Sequence, residues 1–240
     1  MIETRPCRES LSRDSTFPTC RVLGADSTYL AGSNAALDDV LSRLAARRPL
    51  FHSEADFQFA LAWQIHELDT EIEVRLESRP KAGIHLDVEL RRDGRTTALE
   101  LKYLTRRWSG EVAGERFDFA SGVTDLRRYD VVKDLARVED YVAARPGSNG
   151  AVVVLASDPI FWKLPDVARA ATADDAFRIH DGAALAGELV WGPTAGPGTT
   201  RSREAALVVK GMYPLAWRQY SSDPLDLRVL VVEVPSARIT

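Results

Sequence analysis

Residues 84–104, IHLDVELRRDGRTTALELKYL, decide the fold. Asp93-Gly94 at their centre suits a two-residue hairpin turn, because both residues tolerate the positive φ that such a turn demands. That turn sets Arg92 against Arg95. Counting back along both strands brings Asp87 across from Glu100 and His85 across from Lys102. Side chains alternate along a strand, so Asp87, Glu89, Glu100 and Lys102 share one face, and Leu86, Val88, Leu90, Leu99 and Leu101 share the other. A slip of one residue would exchange the faces, which pins the register. Directly opposed Cβ atoms stand ~4.5–5.5 Å apart, where Asp87 and Glu100 repel unless a cation lies between them. A hard divalent ion meets that need, since Mg²⁺ takes one or two carboxylates and completes its shell with water and phosphate oxygens. Lys102 beside it could orient or help deprotonate a water, or neutralise charge on a phosphate. On these residues alone, an amphipathic hairpin with a solvated charged face reads equally well.

Working outward, Ser53 offers an N-cap to a helix over residues 54–68, whose apolar face is Phe57, Ala60, Leu61 and Ile65. Residues 71–78 alternate strictly and predict a half-buried strand, broken by Pro80 and Gly83. Residues 105–122 read as a looser, Gly-containing stretch. Residues 124–143 predict a long helix with a stripe of Leu126, Val131, Leu135, Val138 and Val142, ended by Pro146-Gly147. The continuous apolar run 151–156 is that of a strand buried on both faces. The order over residues 54–157 is therefore α-β-β-β-α-β. Before it, residues 1–32 form a loosely organised lead-in, and a helix from Asn34, capped by Ser33 or Asn34, stops at Pro49. After it, residues 192–200 read as a Gly/Pro-rich loop and residues 205–210 and 227–234 as strands, added to the sheet or forming a small subdomain. Three regions follow: 1–50, a core at 51–160, and a C-terminal extension at 161–240.

The chain has 240 residues, 45% of them hydrophobic, with 31 basic against 35 acidic residues and a formal net charge of −4. A polycationic coat or tail protein is excluded, yet a basic groove is not, because binding needs only a patch. Residues 83–107 hold six basic and four acidic residues and run against the acidic total. Cys7 and Cys20 lack the spacing of a thiolate zinc site. His52, His66, His85 and His180 show no paired ligand spacing. A charged N-terminus without an apolar run predicts a reduced, cytoplasmic protein with no membrane segment. Trp162 and Phe161 could stack on a base, and packing in the core is their alternative use.

Asp87 and Glu100-Leu101-Lys102, set on the second and third strands of this core, resemble the PD-(D/E)XK nuclease superfamily. The likeness covers residues 51–160 and lacks the family's Pro before the Asp, Leu86 standing there instead. It implies a restriction-endonuclease-like α/β fold with a mixed sheet flanked by helices. It also implies Mg²⁺-dependent hydrolysis of nucleic acid, with DNA as the expected substrate, in defence or repair, and with Mn²⁺ as a substitute metal. By this resemblance Asp87, Glu100 and the carbonyl of Leu101 hold the metal, Lys102 is catalytic, and Glu54 fits the additional acid that many members carry on the first helix. A homodimer or a partner subunit would fit cleavage of both strands. Arg106, Arg107, Arg127, Arg128, Lys133 and Arg137 are the candidate phosphate contacts. For the four on the helix, surface pairing with neighbouring acids is the competing reading. Two alternatives remain: a catalytically silent binding or regulatory module of the same fold, and a subunit switched on by a partner or small nucleotide.

Overall fold

The computed structural model describes residues 28–81, 83–166 and 170–236. Cys7, Cys20 and most of the 1–32 lead-in lie outside them. Two helices open the described chain. α1 (Leu37–Arg47) buries Leu37, Val40, Leu41 and Leu44, with Asp38 and Asp39 in its first turn and Arg47 in its last, as the helix dipole favours. It starts later than Ser33 or Asn34 would have it. Tyr29 and Ala36 form a β-bridge, and Ser33 Oγ accepts the Ala35 N–H, so these residues turn before the helix begins. α2 (Glu54–Leu68) is capped as expected, the Ser53 side chain accepting the Asp56 N–H.

β1 (Glu73–Lys81), β2 (Ile84–Arg92) and β3 (Arg95–Leu104) form an antiparallel meander. Pro80 does not end β1 as the sequence suggests. β1 is an edge strand, so a missing N–H there costs no ladder bond. Asp93 and Gly94 have φ of 48° and 75°, the turn their sequence specifies. The register runs as expected from Arg92↔Arg95 to Val88↔Leu99 and stops there. Beyond it alternation fails. Leu86, expected beside Val88, packs on the opposite side of the sheet, because at Asp87 the carboxylate and the carbonyl turn to side-chain and backbone partners described below.

Residues 105–122 correct a second expectation. They hold a hairpin of β4 (Trp108–Val112) and β5 (Glu115–Phe119), closed by Ala113-Gly114 with φ of 51° and 81°. Phe117 and Phe119 drop from it into the core. α3 (Thr124–Ala143) then returns the chain to β6 (Asn149–Ala156), which lies parallel to β3 from Thr97↔Asn149 to Leu104↔Ala156. β7 (Ala184–Leu189), the single turn α4 (Pro197–Thr200), β8 (Leu207–Pro214), β9 (Trp217–Ser221) and β10 (Leu227–Val234) complete the described chain.

The result is mixed α/β: a six-stranded sheet of order β1-β2-β3-β6-β10-β9, parallel only between β3 and β6, with helices on both faces. One core unites α1, α2 and the β4–β5 hairpin with Val88, Leu90, Leu99 and Leu101. The other unites α3 and the β7–β8 ribbon with Leu86, Ala98, Val152 and Val154. Phe161 and Trp162 are buried there, so neither offers a face to a base. The C-terminal extension supplies two strands of the main sheet as well as the ribbon. Gly150 permits the close approach of α3, since a Cβ there would stand 2.5 Å from Val138 and 2.7 Å from the Ala98 carbonyl. No helix among the described residues is long and apolar enough to cross a membrane.

Candidate functional site

The charged face of the β2–β3 hairpin is covered rather than solvated. α3 packs over it, and Glu89 and Glu100 are 2% and 1% exposed. Four elements converge here. Glu54 opens α2, held in place by the Ser53 cap and by Asp56, which Arg48 grips with two nitrogens at 3.1 and 2.8 Å. Its Oε2 accepts the Tyr103 N–H at 2.9 Å. Asp87 Oδ2 accepts the Leu101 N–H at 2.7 Å, and its backbone carbonyl accepts Gln58 Nε2 at 2.6 Å. Two carboxylates from different elements thus bracket Lys102 through the backbone on either side of it.

Lys102 Nζ lies 2.6 Å from Asp134 Oδ2, 3.9 Å from Glu54 Oε1 and 3.0 Å from the carbonyl of Leu101. Arg137, one turn beyond Asp134 on α3, places Nη1 2.7 Å from Glu100 Oε1 and 3.1 Å from Asp134 Oδ1. The same nitrogen donates to the His85 carbonyl at 3.2 Å. The His85 ring does not face Lys102 as the hairpin count suggested. It turns to Glu77 Oε2 at 2.8 Å, consistent with the lost alternation at Asp87.

Electrostatically the cluster has too little positive charge. Glu54, Asp87, Glu100 and Asp134 bring four carboxylates to the two cations among them, Lys102 and Arg137. Burial, with the nearby charges of Asp134 and Asp87, pushes Glu100 up to about 9 despite Arg137. Burial also raises Asp87 and Glu54, against the pull of Lys102 and of the backbone N–H each accepts. For Lys102, burial opposes its charge, but Asp134 and Glu54 outweigh it and hold the ammonium above the ordinary lysine range.

From the sequence Asp134 reads only as one of the acids available for surface pairing along this helix, although a signal of its burial existed. It stands three residues after Val131 and four before Val138, within the buried stripe, where a carboxylate requires a partner. Gln58 was passed over similarly, as a polar residue on the buried side of α2.

The candidate phosphate contacts separate into distinct groups. Arg106, Arg107 and Lys133 are exposed. The N–H groups of Arg106 and Arg107 are fixed by Ser157 Oγ at 3.1 Å and Ser121 Oγ at 2.9 Å, leaving both side chains at the ends of β3 and β6. Arg127 Nη1 donates to the Thr105 carbonyl at 2.9 Å. Arg137 belongs to the cluster. Arg128 is 2% exposed and holds Asp174 Oδ2 at 2.5 Å and the Ile160 carbonyl at 2.6 Å, a buried tie between α3 and the segment after β6. At the turn end of the hairpin, Arg91 bonds Glu89 and Arg92 bonds Asp69.

The donors fit a hard divalent cation in kind: carboxylate oxygens of Glu54, Asp87 and Glu100, and a backbone carbonyl, around a site short of positive charge. Their present arrangement is not that of a closed coordination shell, for no group of three or more His, Cys, Asp or Glu among the described residues is gathered closely enough to hold a metal ion. Comparison of the chain with protein-family models, with curated proteins and with solved structures finds no match, so the reading of the site rests on its own residues.

Proposed function

We propose that the chain is a Mg²⁺-dependent nuclease of the PD-(D/E)XK type, acting on DNA as an endonuclease. The observation that carries this reading is the bracketing of Lys102 by Asp87 and Glu54, each bonded to a backbone N–H next to it. The element order α2-β1-β2-β3-α3-β6, with β3 and β6 parallel, supports it, being the order the resemblance implies for a restriction-endonuclease-like core. Asp87, Glu100 and the Leu101 carbonyl would hold the cation, with Glu54 as an outer ligand. When bound, the ion supplies Lewis acidity toward the phosphoryl oxygens and toward a water. The chain's own contribution is electrostatic. Lys102 is kept as an ammonium by Asp134 and Glu54, so it serves as a positive charge beside the developing phosphorane rather than as a base. Arg106, Arg107 and Lys133 are the exposed cations that can meet the phosphates on either side.

Cleavage of plasmid and oligonucleotide DNA with Mg²⁺ or Mn²⁺ tests this. Lys102→Ala and Asp87→Ala are expected to lose at least ~100-fold in rate, as removal of a positioned charge or acid–base group does. Undiminished cleavage by both variants would remove these residues from the mechanism. One observation favours a second reading, a catalytically silent binding module: Glu100 and the Leu101 carbonyl already bond cations of the chain itself. Calorimetry separates the two, because a silent module retains nucleic-acid binding while taking up no Mg²⁺.

A further inference from the structure

Three side chains of α3 meet β3 at successive places. Arg137 reaches Glu100, Asp134 reaches Lys102, and Arg127 reaches the carbonyl of Thr105, just past the strand's end. The spacings match: Arg127 lies ~10 Å before Asp134 along the helix, and Thr105 ~10 Å beyond Lys102 along the strand. The first two contacts pair opposite charges and the third does not. Among the described residues Arg127 stands in no ion pair, and the Thr105 carbonyl is the one acceptor its side chain meets. A guanidinium has five N–H donors, so most of its fork is open. Burial holds Arg127 below the usual arginine range, and the nearby charges of Glu54 and Asp158 offset this only in part. The surrounding chain is shaped to this side chain. A Cβ at Gly122 would stand 2.1 Å from its Nε and 2.4 Å from its Cζ, so a glycine is what lets the guanidinium lie there. Thr105 is fixed in turn, its Oγ1 donating to the Ala120 carbonyl at 3.0 Å.

We propose that Arg127 binds a backbone phosphate of the nucleic acid, one that flanks the phosphate facing Lys102, and so fixes where the strand crosses the ends of β3 and β6. This rests on the nuclease reading above and deepens it by naming the residue that aligns the substrate, and it involves no metal ion. The open fork suits a phosphate, whose oxygens accept two parallel N–H bonds and bring the charge that burial makes costly to leave uncompensated. Arg137 and Arg128 cannot serve in this way, since each already holds a buried carboxylate. Arg106 and Arg107 follow Thr105 directly, and their exposed side chains add positive charge around the same place.

The test is fluorescence anisotropy of labelled single-stranded and duplex DNA oligonucleotides with the full chain, in EDTA so that no strand is cut, over a series of salt concentrations. Wild type is compared with Arg127→Gln, Arg127→Lys and Gly122→Ala, and Tm is measured for each. Arg127→Gln is expected to bind roughly tenfold or more weakly, as loss of a charge-assisted bond does. The slope of log K against log salt should fall by about one, the mark of one phosphate contact removed. Arg127→Lys, which keeps the charge without the fork, should restore the slope and only part of the affinity. Gly122→Ala displaces the guanidinium without removing it, so it should weaken binding at an unchanged Tm, and it carries the comparison if Arg127→Gln does not fold. Wild-type affinity and slope in both Arg127→Gln and Gly122→Ala overturn the assignment and leave the nuclease reading to the cleavage assay. A loss in Arg127→Gln that Gly122→Ala does not share, with no slope restored in Arg127→Lys, is what a purely structural arginine gives and overturns it too. Displacement of the oligonucleotide by inorganic phosphate as readily as by unlabelled DNA would assign the place to a free anion instead. No binding of DNA by wild type overturns both the assignment and the reading it rests on.

Discussion

Arg128 and Arg137 lie on the same helix and each reaches a buried carboxylate, but the two acids respond in opposite directions. Around Asp174, burial opposes the charge and loses: the Thr172 hydroxyl at 2.6 Å and Arg128 at 2.5 Å, with Arg178 at 3.5 Å, hold the acid below the usual carboxylate range. Arg128 is further seated on the Phe161 ring, 5.7 Å from its centroid. Around Glu100, burial wins with the help of Asp134 and Asp87, and the acid rises to about 9. One centre has donors to spare and ties α3 to the segment that follows β6. The other has acids to spare and sits where four elements meet. A chain under selection for stability alone would satisfy both, so the unsatisfied one is the candidate for chemistry.

The largest expected effect belongs to the satisfied centre. Arg128→Ala would strand Asp174 without its main cation, at a cost of about 3–5 kcal/mol, the range for one partner removed from a buried pair. Denaturant unfolding at neutral pH measures it. A loss below about 1 kcal/mol would mean that Asp174 does not depend on Arg128 and would dissolve the contrast. The pH dependence follows the same logic. A carboxylate held below its unfolded value contributes stability above that value and loses it as pH falls through the folded one. The Asp174 contribution should therefore persist from neutral pH downward and vanish only in acid.

Glu100 should behave in the reverse sense. Its folded value lies near 9 and its unfolded value near 4.5, so between the two the native chain binds more protons than the unfolded chain. Stability in metal-free buffer must then decline as pH rises through that window, and the penalty is absent below it. Glu100→Gln removes the titration. It is expected to flatten the decline and to exceed wild type at pH 8 by about 2 kcal/mol, since a neutral amide avoids burying an excess charge. A wild-type profile that stays flat from pH 5 to 9, unaltered in Glu100→Gln, would show that the cluster is as well compensated as Asp174.

The two centres differ as much in how far the sequence exposes them. The turn half of the hairpin was legible because Asp93-Gly94 and a period of two agree, but the count fails past Val88↔Leu99, where the expected pairing of Asp87 with Glu100 is not made. What covers these residues was not legible. Along α3 acids and bases alternate at intervals that suit exposed pairs, so Asp134 and Arg137 look like surface residues until α3 is laid on β3. Arg128 is the mirror case: a residue that looks able to reach a phosphate is buried against Asp174, forty-six positions away in the chain. Long-range partners of that kind leave no local pattern. The β4–β5 hairpin was hidden for another reason. Gly110 interrupts its alternation, and Ala113 takes a positive φ that alanine rarely adopts, so neither strand nor turn announces itself. β7 and β9 are short, and β7 carries Gly187 at a register shift.

The smallest expected effect separates a saturated acid from one merely paired. Thr172 Oγ1 gives its proton to an acid of the loop, 2.6 Å from Asp174 and 2.8 Å from Asp175, and it also accepts from Arg178 at 3.0 Å. Thr172→Val keeps the shape and deletes the hydroxyl, while Arg128 remains on Asp174. With a cation still in place, the loss should be that of the one hydrogen bond given and the one accepted, about 1–2 kcal/mol in all. The acid limb of the stability profile should shift upward in pH, because Asp174 has lost a donor that favours its ionised form. A loss approaching that of Arg128→Ala would mean that the hydroxyl, rather than the ion pair, organises the segment. Asp174 would then be no better compensated than Glu100, and compensation would cease to distinguish the tie from the site.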